Sequence, residues 1–259
     1  MTGLRLRIAT MMVSAAALAV PLAYSQTSAA DAILKPVRQR IETSDFRATG
    51  RLIHVAANGD RVSYHISIKG HWFPDGLRVL YTIKEASMRV LLHMSASGAI
   101  TVDTAQGAAA TPTRLQPSHW ADSVLGTDFS YEDLIEGQFY WKGQEVLPPA
   151  ACGARYCVSL KSKPTAEDHS QYASVTSAID STVFYPVHVV KTIRGSGLQK
   201  DFAYGGLRQS SGVWSASQLA VKVQGKPGSS LLIIERGSEK AKLGRKIFDL
   251  NQSSPQEDD

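Results

Sequence analysis

From Phe46 onward the apolar residues recur at every second position, and this period limits the chain to a narrow set of folds. Val62, Tyr64, Ile66 and Ile68 alternate with Ser63, His65, Ser67 and Lys69. Val79, Tyr81 and Ile83 repeat the pattern, as do Val90, Leu92 and Met94. Alternation of this kind describes a strand with one face buried and the other in water. Residues 51–57 lead into the first of these strands across Asn58-Gly59-Asp60, a turn that adopts positive φ readily. Gly195-Ser196-Gly197 makes a second hairpin turn. Further strand candidates are residues 138–146, 156–161, 181–194, 198–204, 214–223 and 230–235. In all, about eleven strands joined by short turns, without crossover helices, predict a mainly β (α+β) domain on an antiparallel sheet.

Two helices are legible. Residues 30–42 place Ile33, Leu34, Val37 and Ile41 on one face, the spacing of an amphipathic helix. Asp31 is the expected N-cap, and Pro36 is tolerable only in the first turn. Residues 128–136 form the second candidate, with Ser130 and Asp133 spaced as a capping box and Glu132 favouring a helix start. At most two or three helices are therefore available to cover one face of the sheet.

The first residues read as an address. Arg5 and Arg7 precede an uncharged run over residues 8–23, followed by Ala23 and Ser25. A charged start, an apolar middle and a small-residue exit describe a secretory signal peptide over residues 1–25. The run is shorter than the ~20 residues a spanning helix needs, and no cysteine near the boundary offers a lipid anchor. The expected product is periplasmic and unanchored, with a domain over residues 26–250 and a polar, acidic, disordered tail over residues 251–259. The net charge is +5, of which the leader arginines supply two, and the remaining basic residues are interspersed with acids. No nucleic-acid footprint is visible.

Little in the chain suggests catalysis. No zinc spacing, nucleophile elbow, phosphate loop or dinucleotide fingerprint occurs, so no catalytic residue, cofactor or metal is expected. Cys152 and Cys157 lie in a Pro/Gly-rich loop, most simply a local disulfide in an oxidising compartment. A metal would need two further ligands, and a redox motif would need closer sulfurs. Of the seven histidines, His54, His65, His93 and His188 fall in strand candidates, where the solvent face is expected. Asp128, Glu132 and Asp133 form the only acidic cluster. They can serve as helix-start residues without partners, whereas catalysis or calcium binding would require ligands from elsewhere.

The segment Gly126-Thr-Asp128-Phe129-Ser-Tyr131-Glu132-Asp133-Leu134 resembles a stretch of bacterial outer-membrane lipoprotein-sorting proteins of the LolA-like superfamily. Asp45 to Gly50, Tyr172 to Ile179, Thr182 to Pro186 and Gly212-Val-Trp214 agree in order and spacing, so the resemblance spans residues 31–248. The cysteine pair departs from it. The resemblance implies a strongly curved, unclosed half-barrel with helices lidding its concave side, and a carrier of lipid or lipoprotein acyl chains. It also implies transfer between membranes, with an inner-membrane transporter as a possible donor. Expected lining residues are Val62, Tyr64, Ile66, Ile68, Val79, Tyr81 and Ile83, with Trp72 and Phe73 at a rim. The same residues would also serve as an ordinary dry core. A second reading, from related half-barrels, is a periplasmic sensor or adaptor that holds a membrane or envelope-stress partner. A lipid-acting enzyme is a third.

Overall fold

The computed structural model describes residues 23–107, 111–149, 151–210 and 212–251. Most of the expected leader (residues 1–22) and nearly all of the expected tail (residues 252–259) lie outside these residues.

One helix, α1 (Ala23–Glu42), precedes the sheet. The strands of its first half are β1 (Asp45–Val55), β2 (Arg61–Phe73), β3 (Gly76–Ile83), β4 (Met88–Ser95), β5 (Ile100–Gln106) and β6 (Thr113–Arg114). An irregular segment then leads to β7 (Gly143–Leu147), β8 (Ala151–Cys152), β9 (Arg155–Lys163), β10 (Tyr172–Asp180), β11 (Pro186–Ile193) and β12 (Gln199–Gly205). A short hairpin of β13 (Arg208–Ser210) and β14 (Val213–Ser215) precedes β15 (Gln218–Val223) and β16 (Ser229–Glu239).

The large sheet is antiparallel and runs β6-β5-β4-β3-β2-β1-β16-β15-β12-β11-β10-β9-β7, with β8 paired to β9. Its path of thirteen strands exceeds the expected eleven by β6, which is two residues long, and β10, which carries no long apolar alternation. It is curved and not closed into a barrel. The first and last strands meet in its middle, β1 lying between β2 and β16. At Gly50 the β1–β16 register shifts, and a Cβ there would stand 1.9 Å from the Ile233 carbonyl oxygen. Only glycine admits so close a strand approach at a bulge.

Register places Ile66, Ile68, Val79, Tyr81, Ile83, Val90, Leu92 and Met94 on one inner face. The helix α1 packs Leu34, Val37 and Ile41 into the same core, each worth about 1.5–3 kcal/mol of burial. The outer face carries a second, smaller cluster of Phe73, Leu80, Leu243, Phe248 and Leu250.

Several expectations are corrected. The helix starts at Ala23, so Asp31 is interior to it and Pro36 lies far beyond its first turn. The proline removes the hydrogen bond to the Ala32 carbonyl, but Ala32 is exposed and water can take the bond. The second helix shrinks to a single 3₁₀ turn, Tyr131–Leu134, and Ile135 is already extended. The Tyr81 hydroxyl donates to the Leu134 carbonyl at 2.9 Å, taking an acceptor that a continuing helix would use. One α-helix is thus present among the described residues, where two or three were expected. Residues 138–146 divide into the 3₁₀ turn Gly137–Tyr140 and β7. Residues 214–223 divide into β14 and β15, and β11 starts only at Pro186.

Candidate functional site

The inner face is not open. Beside α1, the segment between β6 and β7 folds into the concavity as a plug, burying Trp120, Val124, Phe129, Ile135, Phe139 and Trp141 in the main core. Arg38 Nε donates to the Phe139 carbonyl at 2.8 Å and Arg40 Nη2 meets Glu136 at 2.5 Å, so α1 and the plug are tied together.

The expected lining residues fall in three places. Ile66, Ile68, Val79 and Ile83 are buried on the inner face, with Tyr64 and Tyr81 packed against them. Trp72 is half-buried on the same face, its ring 6.3 Å from Tyr140. Val62 is 50% exposed at the start of β2. Phe73 is not at that rim: it points to the outer face, against Phe248. Adjacent strand residues face opposite ways, so Trp72 and Phe73 cannot share a site.

The acidic motif does more than start a helix. Ser130 donates both its backbone N–H and its hydroxyl to Asp133 Oδ2, at 2.9 and 2.7 Å, so the expected pairing of the two is present. Asp133 also receives the Lys191 and Lys200 ammonium groups, each at 2.9 Å, and the Tyr172 hydroxyl at 2.6 Å. Both lysines project from the inner face and are buried. Burial alone would raise the Asp133 carboxyl, but the two lysines hold it well below the ordinary carboxylate range. Glu132, also buried, accepts from the Ser170 hydroxyl and the Gln171 backbone N–H. Its carboxyl is pushed up, chiefly by burial. Asp128 accepts from Ser230 at 2.8 Å and lies 3.8 Å from His54. His54 therefore turns toward the plug, unlike exposed His65 and His188. Gly126 adopts positive φ, while Phe129 is buried and Tyr131 packs against the core. The motif anchors the plug to the sheet, and its lysine partners carried no sequence signal because each lies alone in a strand.

A cavity of about 200 Å³ remains where α1 ends, between β1, β16 and the β13–β14 hairpin. Its floor is Phe46, Ala48, Ile68 and Ile234, and Val213 and Trp214 face them from the hairpin. Arg40, Arg208, Tyr185 and Glu239 supply the polar lining. Of the expected lining residues, only Ile68 reaches this space. The Arg40 guanidinium stacks over Tyr185 at 4.6 Å from the ring centre. Burial works against its charge, but Glu136 and the nearby tyrosines raise its pKa on balance. The Glu239 carboxyl is raised, first by burial and then by Asp45, with Arg208 opposing. No sequence signal marked this cavity, because its walls come from residues 40–68 and residues 185–239 and Trp214 read as the start of one long strand.

Cys152 and Cys157 are joined in a disulfide across the β8–β9 hairpin. Among the described residues, no group of three or more His, Cys, Asp or Glu is placed to hold a metal ion. No described helix is long and apolar enough to cross a membrane.

A family model described as "uncharacterized protein" matches residues 107–252. No curated protein matches the sequence. Solved structures that share the fold include the following three. An outer membrane lipoprotein-sorting protein domain from Vibrio parahaemolyticus superposes with a TM-score of 0.78 at 20% identity, over 88% of this chain and 98% of that one. A DUF1329 family protein from Desulfovibrio piger gives 0.77 at 13% identity, over 86% and 97%. A LolA superfamily protein from Nitrosomonas europaea gives 0.66 at 15% identity, over 85% and 97%.

Proposed function

Because the chain belongs to this family of uncharacterized proteins and has the LolA-like fold, we propose that it is a periplasmic carrier of lipid or lipoprotein acyl chains. One observation carries the reading. The apolar inner face of an unclosed sheet is covered by a single helix and an irregular plug, and where they end a cavity opens onto that face. A second sheet would seal such a face, whereas a helix and plug can be displaced. Each methylene that takes their place gains ~0.8 kcal/mol, so a hydrocarbon chain can compete with the side chains now filling the concavity.

The cavity is smaller than ligand pockets of ~300–1,000 Å³, so uptake of a long chain requires α1 and the plug to move. Ile68 marks the way in, and Ile66, Tyr81 and Ile83 line the path beneath α1. The disulfide suits an oxidising compartment, and the arginine-led apolar start of the sequence suits export. A related lipoprotein-sorting domain is consistent with lipoprotein cargo.

The test is native mass spectrometry of the protein purified from a periplasm, with displacement of a fluorescent fatty acid in solution. Lipid adducts and displacement are expected. Absence of both would overturn the carrier reading. A stoichiometric membrane partner captured by cross-linking, without lipid, would point to an adaptor, and ester hydrolysis to an enzyme.

A further inference from the structure

The cavity beside α1 is built for more than hydrocarbon. Two arginine side chains, Arg40 and Arg208, line it, against the single acid Glu239. Arg40 has one carboxylate partner, Glu136, and its buried Nε–H has no acceptor among the described residues. Arg208 reaches in from the hairpin over Gly237, where a Cβ would come 3.7 Å from its Nη2. The carboxylate on which the Arg208 charge acts is Glu239. A guanidinium presents N–H donors in a planar fork that matches carboxylate or phosphate oxygens. Directly below are Ile68, Phe46 and Ile234, with Trp214 across from them. Cationic donors from α1 and the hairpin above an apolar floor describe a ligand with two chemistries in one molecule.

We propose that this cavity binds the anionic head, carboxylate or phosphate, of a single-chain amphiphile, with Arg208 and Arg40 holding the head and Ile68 receiving the first methylenes. The inference rests on the carrier reading and adds to it the class of ligand. The volume of about 200 Å³ admits a head and a few carbons, and the rest of the chain would follow the inner face beneath α1. Arg208 sits on the two-stranded β13–β14 hairpin, which pairs with no strand of the large sheet. Glu239 is the acid most easily neutralised when an anion arrives, because burial already disfavours its charge.

The experiment displaces a fluorescent fatty acid from the purified full chain using four competitors, each below its micellar concentration. These are dodecanoic acid, dodecyl phosphate, dodecanol and inorganic phosphate. The acid and the alkyl phosphate should displace at concentrations about tenfold or more below dodecanol, the scale of one charge-assisted contact. Arg208→Gln should bring that ratio to within about threefold while leaving the dodecanol affinity in place, and Arg208→Lys should restore part of it. Arg40→Lys, checked first for a native thermal transition, should act in the same direction. Equal displacement by acid and alcohol would overturn the headgroup assignment and leave the carrier reading standing. Displacement by inorganic phosphate as effective as by dodecyl phosphate would mean a free-anion site and overturn the amphiphile. No binding of the probe or of any alkyl competitor would overturn the carrier reading, and this inference with it.

Discussion

Asp133 is the residue on which the plug depends. Its carboxylate gathers two buried ammonium groups, a tyrosine hydroxyl and both donors of Ser130. Removing one partner of a buried ion pair strands the others, at about 3–5 kcal/mol. Asp133→Asn should lower stability by that order in urea unfolding. Glu132→Gln, whose carboxyl is already pushed toward its neutral form by burial, should change stability at neutral pH by ~1 kcal/mol or less. The pH dependence has a definite sign. Because the folded Asp133 carboxyl is held well below its ordinary value, its contribution is whole above about pH 4 and is lost as the pH falls toward the folded value. Urea unfolding from about pH 7 to about 3 should show this acid loss in the native chain and a shallower one in Asp133→Asn. The sequence disclosed the motif and its capping pair but not its purpose. A carboxylate's partners on distant strands have no fixed spacing from it.

Among the elements, α1 differs most from what its sequence suggested. Pro36 interrupts it on a side where Ala32 faces water. Pro36→Ala should restore one hydrogen bond and raise stability by up to ~3 kcal/mol. If α1 is a moving cover, the same change should slow fatty-acid uptake in stopped flow. The disulfide spans five residues of separation, and the chain-entropy estimate for so small a loop is about 2 kcal/mol. Cys152→Ser with Cys157→Ser should cost no more than that and leave ligand binding unchanged, since the loop lies on β8–β9, away from the cavity lining. The long strands were legible because one wet and one dry face writes itself as alternation at Val62 to Ile68 and Val79 to Ile83. The plug was not. Trp120, Phe129 and Phe139 are buried by irregular backbone that follows no period, and only tertiary packing reveals it.

At the scale of the molecule, a chain whose terminal strands occupy the middle of its sheet has no independent halves. Within the sheet, the β2–β5 side and the β9–β15 side are paired to each other only through β1 and β16. Amide exchange should be slowest in β1, β2 and β16 and fastest in β6 and β7 at the free edges. Uniform protection across the sheet would contradict this ordering. The overall architecture was readable as an antiparallel, one-faced sheet, but the strand order was not, because alternation does not say which strand neighbours which. The central seam also has a temporal meaning. Synthesis delivers β16 nearly two hundred residues after β1, and until then β1 has an unpaired edge and the cavity lacks the Ile234 and Gly237 wall. The cavity therefore takes shape only once residues 229–239 are in place beside β1, and until then the edge of β1 stays open to pairing with another strand.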